Sequence, residues 1–271
     1  ADAVDRAAKE SSRDYIFVSR SDSTLRGHYP LETELLKECY EHNTGARIGG
    51  EVLCPFFKEG GRYTIGDVHY VKYGDELVPA HETEFAKDKT FGYTAENLPD
   101  YIEEKTAGEY KAEDVISISL EDIHDMNFDK IESQLMLADN FNKIIVNAID
   151  YADIKVFAVA LFRAMNAGKM FMFRTAAALV KVMGGVSDIP LLTRSDMIVN
   201  DTESGGIIVV GSHTAKTTSQ LECLKEVSSI EFIELDANLV RDEGEFAKEV
   251  DRCVALEEEY IKAGKTVCCY T

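Results

Sequence analysis

The chain has 271 residues, of which 45% are hydrophobic, and a formal net charge of -20 at pH 7. This apolar content can bury a large core, and the length predicts two domains. The sequence has no apolar stretch of membrane-spanning length and no charged-then-apolar leader, so we expect a cytoplasmic protein without a membrane partner. The acidic balance argues against a nucleic-acid partner.

Six cysteines lie along the chain, and none forms a C-x-x-C pair. This spacing predicts reduced thiols and excludes a disulfide framework or a zinc site of the usual pattern. We therefore assign no metal-ligating side chains. The negative charge also sets a condition on any anionic ligand, because local donors must bind it against the overall field.

The first elements are predicted to be a short amphipathic helix at 1–9 and a buried strand at 15–18. A polar loop follows, and a helix begins after Pro30 with Leu31, Leu35, Cys39 and Tyr40 on one face. The order strand, polar loop, helix places the loop beside a helix amino end. Unpaired N–H groups and the helix dipole favour an anion there.

Hydroxyl groups, a guanidinium and one carboxylate are concentrated in this loop, which contains Ser21, Asp22, Ser23, Thr24, Arg26, Gly27 and His28. Such a set can hold a small polyhydroxylated anion, so we predict that the loop binds substrate. The alternative is a loop that only closes its own turn, with Asp22 paired to Arg26.

A strand is predicted at 52–54, followed by an antiparallel excursion between Pro55 and Pro79. Because the excursion begins at the carboxyl end of a strand, Arg62 and His69 are candidates to fold back over the first loop and contact substrate. Arg62 is favoured because an anion site in an acidic protein needs guanidinium groups.

The rest of the first domain alternates strands and helices, which predicts a parallel sheet covered by helices. The strands are expected at 115–119, 144–146 and 170–173, and the helices at 128–138, 152–167 and 175–183. Arg174 and Thr175 are predicted to begin a helix directly after a strand, which makes them another possible ligand position. A short helix is expected at 81–88, and another at 95–105.

A polar segment separates this domain from a second run of elements. We predict a first domain at 1–186, a linker at 187–204 and the start of a second α/β domain at 205–271. The second domain opens with a strand at 206–210, a Gly-Ser-His-Thr turn and a helix at 216–227 that begins with a capping box of Thr217 and Gln220. The turn is not a P-loop, because the G-x-x-x-x-G-K-[ST] spacing fails.

Four stretches in order resemble the four-carbon acid sugar kinase family, formerly a family of unknown function. They are SRSDSTLRGHYPLET at 19–33, GRYT with GDVHYV at 61–71, ETEFAKD at 82–88 and VGSHTAKTT at 210–218. The resemblance implies a sugar-acid-binding domain followed by a nucleotide-binding domain. On this resemblance Asp22, Ser23, Arg26, Gly27 and Arg62 fall in substrate-binding motifs.

The resemblance also implies the activity. ATP would phosphorylate a hydroxyl group of a tetronate-like acid such as threonate, erythronate or 3-oxo-tetronate, usually with Mg²⁺ bridging phosphates. The nucleotide domain would begin at Gly211, Ser212, His213 and Thr214. The general base stays unassigned, and a homodimer is left open.

The family's opening Asp-Asp-x-Thr-Gly motif and its later Gly-rich nucleotide loop have no counterpart in these 271 residues. We therefore expect a chain shorter than its relatives at both ends. One alternative is a non-catalytic protein that binds or senses a small hydroxy acid. Another, an NAD-dependent dehydrogenase, lacks a G-x-G-x-x-G after any predicted strand.

Overall fold

The computed structural model describes residues 1–198, 203–212 and 214–271. Contacts divide the chain into two compact units, Ala1–Asp188 and Ile189–Thr271. The predicted domain boundaries remain predictions, and part of the predicted linker, residues 199–202, lies outside the described residues.

A five-stranded parallel sheet forms the centre of the first unit, with the strand order β1-β8-β2-β7-β6. The strands are β1 (Val18–Arg20), β2 (Gly50–Cys54), β6 (Ile116–Ile118), β7 (Asn142–Val146) and β8 (Phe171–Thr175). Strands β2 and β8 are buried at every position. A parallel sheet is covered on both faces, which explains the burial of the apolar residues Val52, Leu53, Phe171 and Phe173 as well as of the polar residues Glu51, Arg174 and Thr175 in these strands.

Seven helices surround this sheet and its connections. They are α1 (Asp2–Ser11), α2 (Leu31–Thr44), α3 (Leu98–Lys105), α4 (Leu120–His124), α5 (Phe128–Leu137), α6 (Tyr151–Asn166) and α7 (Ala177–Met183). Local sequence explains several helix starts. Asn97, Ser119 and Asp150 each accept a hydrogen bond from a backbone N–H group in the first turn of α3, α4 and α6.

Alternate residues of the strands point to opposite faces and divide the core into layers. On one face, Val52, Ile144 and Phe173 pack with apolar side chains of α5, α6 and α7. On the other face, Leu53 and Ile145 pack with α3 and with the loop after β1. The first unit is therefore a sheet between two layers, and the predicted α/β fold class is confirmed.

The predicted antiparallel excursion is a three-stranded sheet of β3 (Arg62–Ile65), β4 (Val68–Tyr73) and β5 (Glu76–Pro79). The turn between β3 and β4 has positive φ angles at Gly66 (56°) and Asp67 (65°), the arrangement of a tight hairpin turn. Asp67 docks this turn on the parallel sheet, because its carboxylate accepts from Ser117 Oγ (2.5 Å) and Asn147 Nδ2 (2.7 Å).

The second unit has a parallel sheet in the order β10-β11-β9. Its strands are β9 (Ile207–Val210), β10 (Ile230–Glu234) and β11 (Thr266–Tyr270), and its helices are α8 (Arg194–Met197), α9 (Ala215–Lys225) and α10 (Glu243–Lys262). Its small core contains Ile233, Cys253 and Val267. The predicted start of a second α/β domain is thus present.

Several predicted bounds were wrong. The first strand is Val18–Arg20 and not 15–18, because Tyr15 packs its ring edge-on against Phe17 (5.3 Å between ring centroids) and Tyr40 (5.2 Å) outside the ladder. Arg174 and Thr175 end strand β8, pairing with Leu53 and Cys54, and do not begin a helix. Helix α9 is capped by Thr214, which accepts from the Thr217 N–H, so the predicted capping box lies one turn too late.

Two predictions about helices also failed. Leu31 and Leu35 are 55% and 51% exposed, so they do not belong to the buried face of α2. Of the predicted residues Tyr40 is buried, and Leu36 packs with it. The stretch predicted to be helical at 81–88 holds only a 3-10 turn, Ala80–Glu82, followed by further turns. Thr83 explains this early end, because its hydroxyl donates to the Ala80 carbonyl (2.7 Å).

Candidate functional site

The loop between β1 and α2 lies at the carboxyl edge of the parallel sheet. It is attached to the neighbouring strand by the Ser21 N–H, which donates to the Thr175 carbonyl (2.9 Å). A cavity of about 390 Å³ opens beside it. The cavity is lined by Ser21, Asp22, Arg26, Gly27, His28, Glu32, Asp88, Phe91 and Arg174.

Four consecutive carbonyl groups of this loop each accept a hydrogen bond from a side chain elsewhere in the unit. The pairs are His69 Nε2 to Ser23 (2.8 Å), Tyr93 Oη to Thr24 (3.1 Å), Tyr101 Oη to Leu25 (2.7 Å) and Arg174 Nη2 to Arg26 (3.1 Å). These donors come from four separate parts of the chain. They fix the loop backbone before any ligand arrives, which is the preorganisation that a binding site requires.

His69 is 2% exposed and uses both ring nitrogens within the protein. Burial lowers its pKa to about 4, so the ring is neutral near pH 7. Because a carbonyl can only accept, Nε2 carries the proton toward Ser23, and Nδ1 accepts from Thr64 Oγ1 (3.0 Å). This geometry favours a role in positioning the loop, and the predicted substrate contact of His69 stays a prediction.

The Asp22 carboxylate is bound inside the loop. It accepts from Arg26 Nε (3.0 Å), from the Thr24 N–H (3.3 Å) and from Thr24 Oγ1. Partial burial alone would raise the pKa of Asp22, but the hydrogen bonds from Thr24 and Arg26 outweigh it and lower that pKa. The Asp22–Arg26 pair of the alternative interpretation is therefore present, yet both side chains also line the cavity.

Two predicted guanidinium groups meet at one aromatic ring. Arg26 and Arg62 lie with their Cζ atoms 5.0 Å and 5.4 Å from the centre of the Phe85 ring. Arg26 is also 3.8 Å from Asp88 Oδ2. Arg62 donates from Nη1 to the Gly60 carbonyl, and burial lowers the pKa of its guanidinium. The structure thus brings Arg62 of the antiparallel sheet close to Arg26, as folding back over the loop requires.

The loop conformation itself explains one of the predicted residues. Gly27 has a φ of +120°, and a Cβ atom there would lie 3.4 Å from Arg174 Nη2. Glycine tolerates this backbone geometry, which a larger residue would strain. Ser23 contributes its carbonyl to the His69 bond, and its side chain does not line the cavity.

Three cavity residues lie outside the loop that was predicted to bind substrate: Glu32, Asp88 and Phe91. Arg174 was noted only as a possible position. Asp88 ends the stretch 82–88, which was quoted only for its family likeness. The positions of Glu32 and Phe91 in the sequence do not identify them as cavity residues, because only the folded chain brings them close to the loop.

The nucleotide-binding candidates lie where β9 ends and α9 begins. Ser212, Thr214 and Thr217 form a cluster of hydroxyl groups, with Thr217 Oγ1 3.1 Å from both Ser212 Oγ and Thr214 Oγ1. Hydroxyls at the amino end of an 11-residue helix suit a phosphate group. A Cβ atom at Gly211 would meet nothing within 4 Å, and His213 lies outside the described residues.

No metal centre is evident in the described parts of the chain. Residues 1–198, 203–212 and 214–271 contain no group of three or more His, Cys, Asp or Glu side chains that could hold an ion. The same residues include no helix long and apolar enough to cross a membrane.

A larger cavity, about 860 Å³, has none of the predicted site residues in its lining. Its walls come from α1, the segment after it and the end of α6, and include Asp5, Lys9, Tyr15, Phe162 and Met165. Lys9 is paired with Asp5 (2.8 Å), and Tyr15 Oη donates to Asp5 (3.3 Å). The polar groups named here are therefore satisfied among themselves, and we place the functional site at the smaller cavity, where guanidinium groups converge.

Comparison with known proteins also indicates one binding domain in each part of the chain. A family model described as a sugar-binding N-terminal domain matches residues 1–183, and one described as a nucleotide-binding C-terminal domain matches residues 207–271. The protein is thus of the class that couples a sugar-binding to a nucleotide-binding α/β domain. It belongs to the four-carbon acid sugar kinase family, which confirms the resemblance.

One solved structure agrees at the level of the fold, and a second is similar over most of this chain. A protein of Salmonella typhimurium LT2, provisionally described as a tRNA synthase, aligns over 97% of this chain and 57% of its own, with 12% identity and a TM-score of 0.58. Haemophilus influenzae protein HI1011, described as a DUF1537 protein, aligns over 98% of this chain and 58% of its own, with 17% identity and a TM-score of 0.49. The chain therefore spans less than three fifths of either. No curated protein matches the chain.

Proposed function

We propose that the cavity beside the loop at 21–30 binds a small sugar acid of the tetronate type. The observation that carries this proposal is a cavity lined by Arg26 in a chain with a net charge of -20. Arg62 does not line the cavity, but it shares the Phe85 ring with Arg26 and so adds a second positive charge close by. Guanidinium groups are the donors that best match a carboxylate. The match of residues 1–183 to a sugar-binding domain supports the same ligand class.

We further propose that the family activity is phosphotransfer from ATP to a hydroxyl group of this acid. The match of residues 207–271 to a nucleotide-binding domain supports a nucleotide, and the hydroxyl cluster at Ser212, Thr214 and Thr217 suits its phosphates. In such a reaction the acceptor oxygen forms a bond to the γ-phosphorus as the bond to ADP breaks. Catalysis depends mainly on positioning and charge neutralisation, and Mg²⁺ accompanies the nucleotide phosphates.

Calorimetry with threonate, erythronate and 3-oxo-tetronate tests the acid site. We expect at least one of these acids to bind and Arg26→Ala to weaken it by about tenfold or more, since a charge-assisted hydrogen bond is lost. Arg163→Ala is the matched control. Arg163 is likewise stacked on a ring, Phe128 (5.2 Å), and ion-paired to Asp129 (3.1 Å), but it does not line this cavity. Unchanged affinity in Arg26→Ala would remove Arg26 from the site.

An ATP-consumption assay separates the kinase from the alternative of a protein that only binds the acid. ATP hydrolysis or transfer that depends on the added acid supports the kinase. Acid binding without ATP turnover, both in this chain and in a version extended at both ends, would support a binding or regulatory protein.

A further inference from the structure

Arg174 is a buried guanidinium at the end of strand β8. The residue is 4% exposed, and its Cζ atom lies 4.9 Å from the centre of the Tyr29 ring. Its Nη2 atom donates to the Arg26 carbonyl (3.1 Å). Burial raises the pKa of Tyr101 to about 12, and the nearby Arg174 charge acts in the opposite direction. The side chain is therefore held firmly between the sheet and the loop.

One nitrogen atom of this guanidinium has no hydrogen-bond partner in the part of the chain that the structure describes. Within the described residues, Arg174 Nη1 is buried and has no hydrogen-bond partner. The Glu32 carboxylate oxygen Oε2 lies 3.8 Å away, which is too long for a hydrogen bond. The other oxygen of Glu32 accepts from Ser19 Oγ (2.8 Å). A buried charged donor without an acceptor is costly, so its presence needs an explanation.

The position of Arg174 supplies that explanation. It lines the same cavity of about 390 Å³ as Arg26, a volume suited to a small ligand. The loop crosses directly over it at Gly27, where a Cβ atom would lie 3.4 Å from Arg174 Nη2. The unpaired Nη1 donor therefore belongs to a side chain that lines the same small cavity as Arg26.

We propose that Arg174 is a substrate-binding residue whose Nη1 donates to the carboxylate of the bound acid, opposite Arg26. This inference rests on the proposed acid site and adds the residue that recognises its charge. Glu32 then acts against binding, because its carboxylate stands beside the same donor and repels a second carboxylate. Selection for an acid over a neutral sugar follows, because a carboxylate both accepts from Nη1 and compensates the buried positive charge, whereas a neutral oxygen only accepts.

The first test compares an acid with its neutral analogue. We expect Arg174→Gln to weaken threonate binding by about tenfold or more and the binding of threonamide, which accepts a hydrogen bond but lacks the charge, by only about threefold. Arg174→Lys, which keeps the charge without the planar fork, should fall in between. An equal loss for threonate and threonamide would show a structural role only and would overturn the proposal.

A second variant does not disturb a buried residue. Glu32 is about half exposed, and Glu32→Gln keeps its shape and its acceptor for Ser19. We expect this variant to bind threonate about three- to tenfold more tightly, because the repelling charge is gone. Unchanged or weaker binding would contradict a carboxylate placed at Arg174, even if Arg174→Gln failed to fold.

Inorganic phosphate as a third probe separates this inference from the proposed function. If no tetronate binds but Arg174→Gln weakens phosphate binding, the proposed acid is wrong and the anion site at Arg174 stands. If threonate binds equally well to the wild type and to Arg174→Gln, the proposed acid site is supported and the proposed role of Arg174 is wrong. If the wild type binds neither anion, both proposals fail.

Discussion

The imidazole of His69 connects two parts of the site that are far apart in the chain. Through Ser23 it reaches the loop after β1, and through Thr64 it stays attached to the antiparallel sheet. Both bonds need a neutral ring with the proton on Nε2. A buried histidine of this kind adds stability only while it stays uncharged. The free energy of unfolding should therefore depend on pH.

The sign of this dependence follows from the pKa of His69, which burial lowers from 6.5 to about 4. Between these values the unfolded chain binds the additional proton, so stability is present above pH 6.5 and is lost as the pH falls toward 4. We expect a fall from pH 7 to pH 5 to reduce the free energy of unfolding by about 2 kcal/mol through this residue. Urea unfolding at the two pH values measures the change.

His69→Gln is the control for this measurement, because glutamine can donate to Ser23 and accept from Thr64 without titrating. The difference between pH 7 and pH 5 should shrink by about 2 kcal/mol in this variant. The same pH dependence in both proteins would mean that other groups are responsible.

At the scale of elements, strands β2 and β7 carry an ion pair inside the sheet. Glu51 and Lys143 are register partners, their side chains are 0% exposed, and Lys143 Nζ lies 2.6 Å from Glu51 Oε2. Lys143 Nζ also sits 3.8 Å from the centre of the Phe141 ring and 4.1 Å from that of Tyr110. Tyr29 Oη donates to the same glutamate oxygen (3.4 Å), which links the pair to the ring on which Arg174 stacks.

Removing one partner of this pair should be far more damaging than removing both charges. We expect Lys143→Met to lower the free energy of unfolding by about 3 to 5 kcal/mol, because it leaves the Glu51 carboxylate buried and unpaired. Adding Glu51→Gln, which keeps an acceptor for Tyr29, should recover about half of the loss or more. Urea denaturation of the wild type, the single variant and the double variant measures these differences.

Lys111→Met is the matched control. Lys111 pairs with Glu103 at 3.1 Å, and the two side chains are 52% and 38% exposed. An exposed pair contributes little, so we expect a change much smaller than that of Lys143→Met. If Lys143→Met were equally mild, the buried pair would not stabilise the sheet.

At the scale of the whole molecule, the two units differ in the number of apolar residues that they bury. In the described part of the second unit, the buried apolar residues are few: Leu221, Ile233, Cys253, Val267 and Cys268. Strand β9 leaves Ile207 and Val209 54% and 74% exposed. Because buried apolar area is the main source of stability, the second unit should be the weaker one.

Cysteine labelling can follow the two units separately. Cys54 is buried in the first unit, and Cys253 and Cys268 are buried in the second. We expect iodoacetamide to modify Cys253 and Cys268 at a lower urea concentration than Cys54, as mass spectrometry of peptides would show. Modification of all three at one urea concentration would instead show that the two units unfold together.

What the sequence alone determined is the order of elements, the α/β class, the family and most of the loop that lines the cavity. Apolar runs and helical spacing are local signals, and the polar run at 21–28 stands out between them. These features depend on neighbours in the chain, so they can be recognised without coordinates.

Only the tertiary structure decided which polar groups face the cavity and which are used inside the protein. His69, 46 residues from Ser23, uses both ring nitrogens in bonds within the protein. Arg174, 148 residues from Arg26, lines the cavity, and its Nη1 atom has no hydrogen-bond partner in the described part of the chain. The spacing of residues in the sequence does not distinguish His69 from Arg174. Long-range packing determines whether a buried donor has an acceptor within the protein or needs one from a ligand.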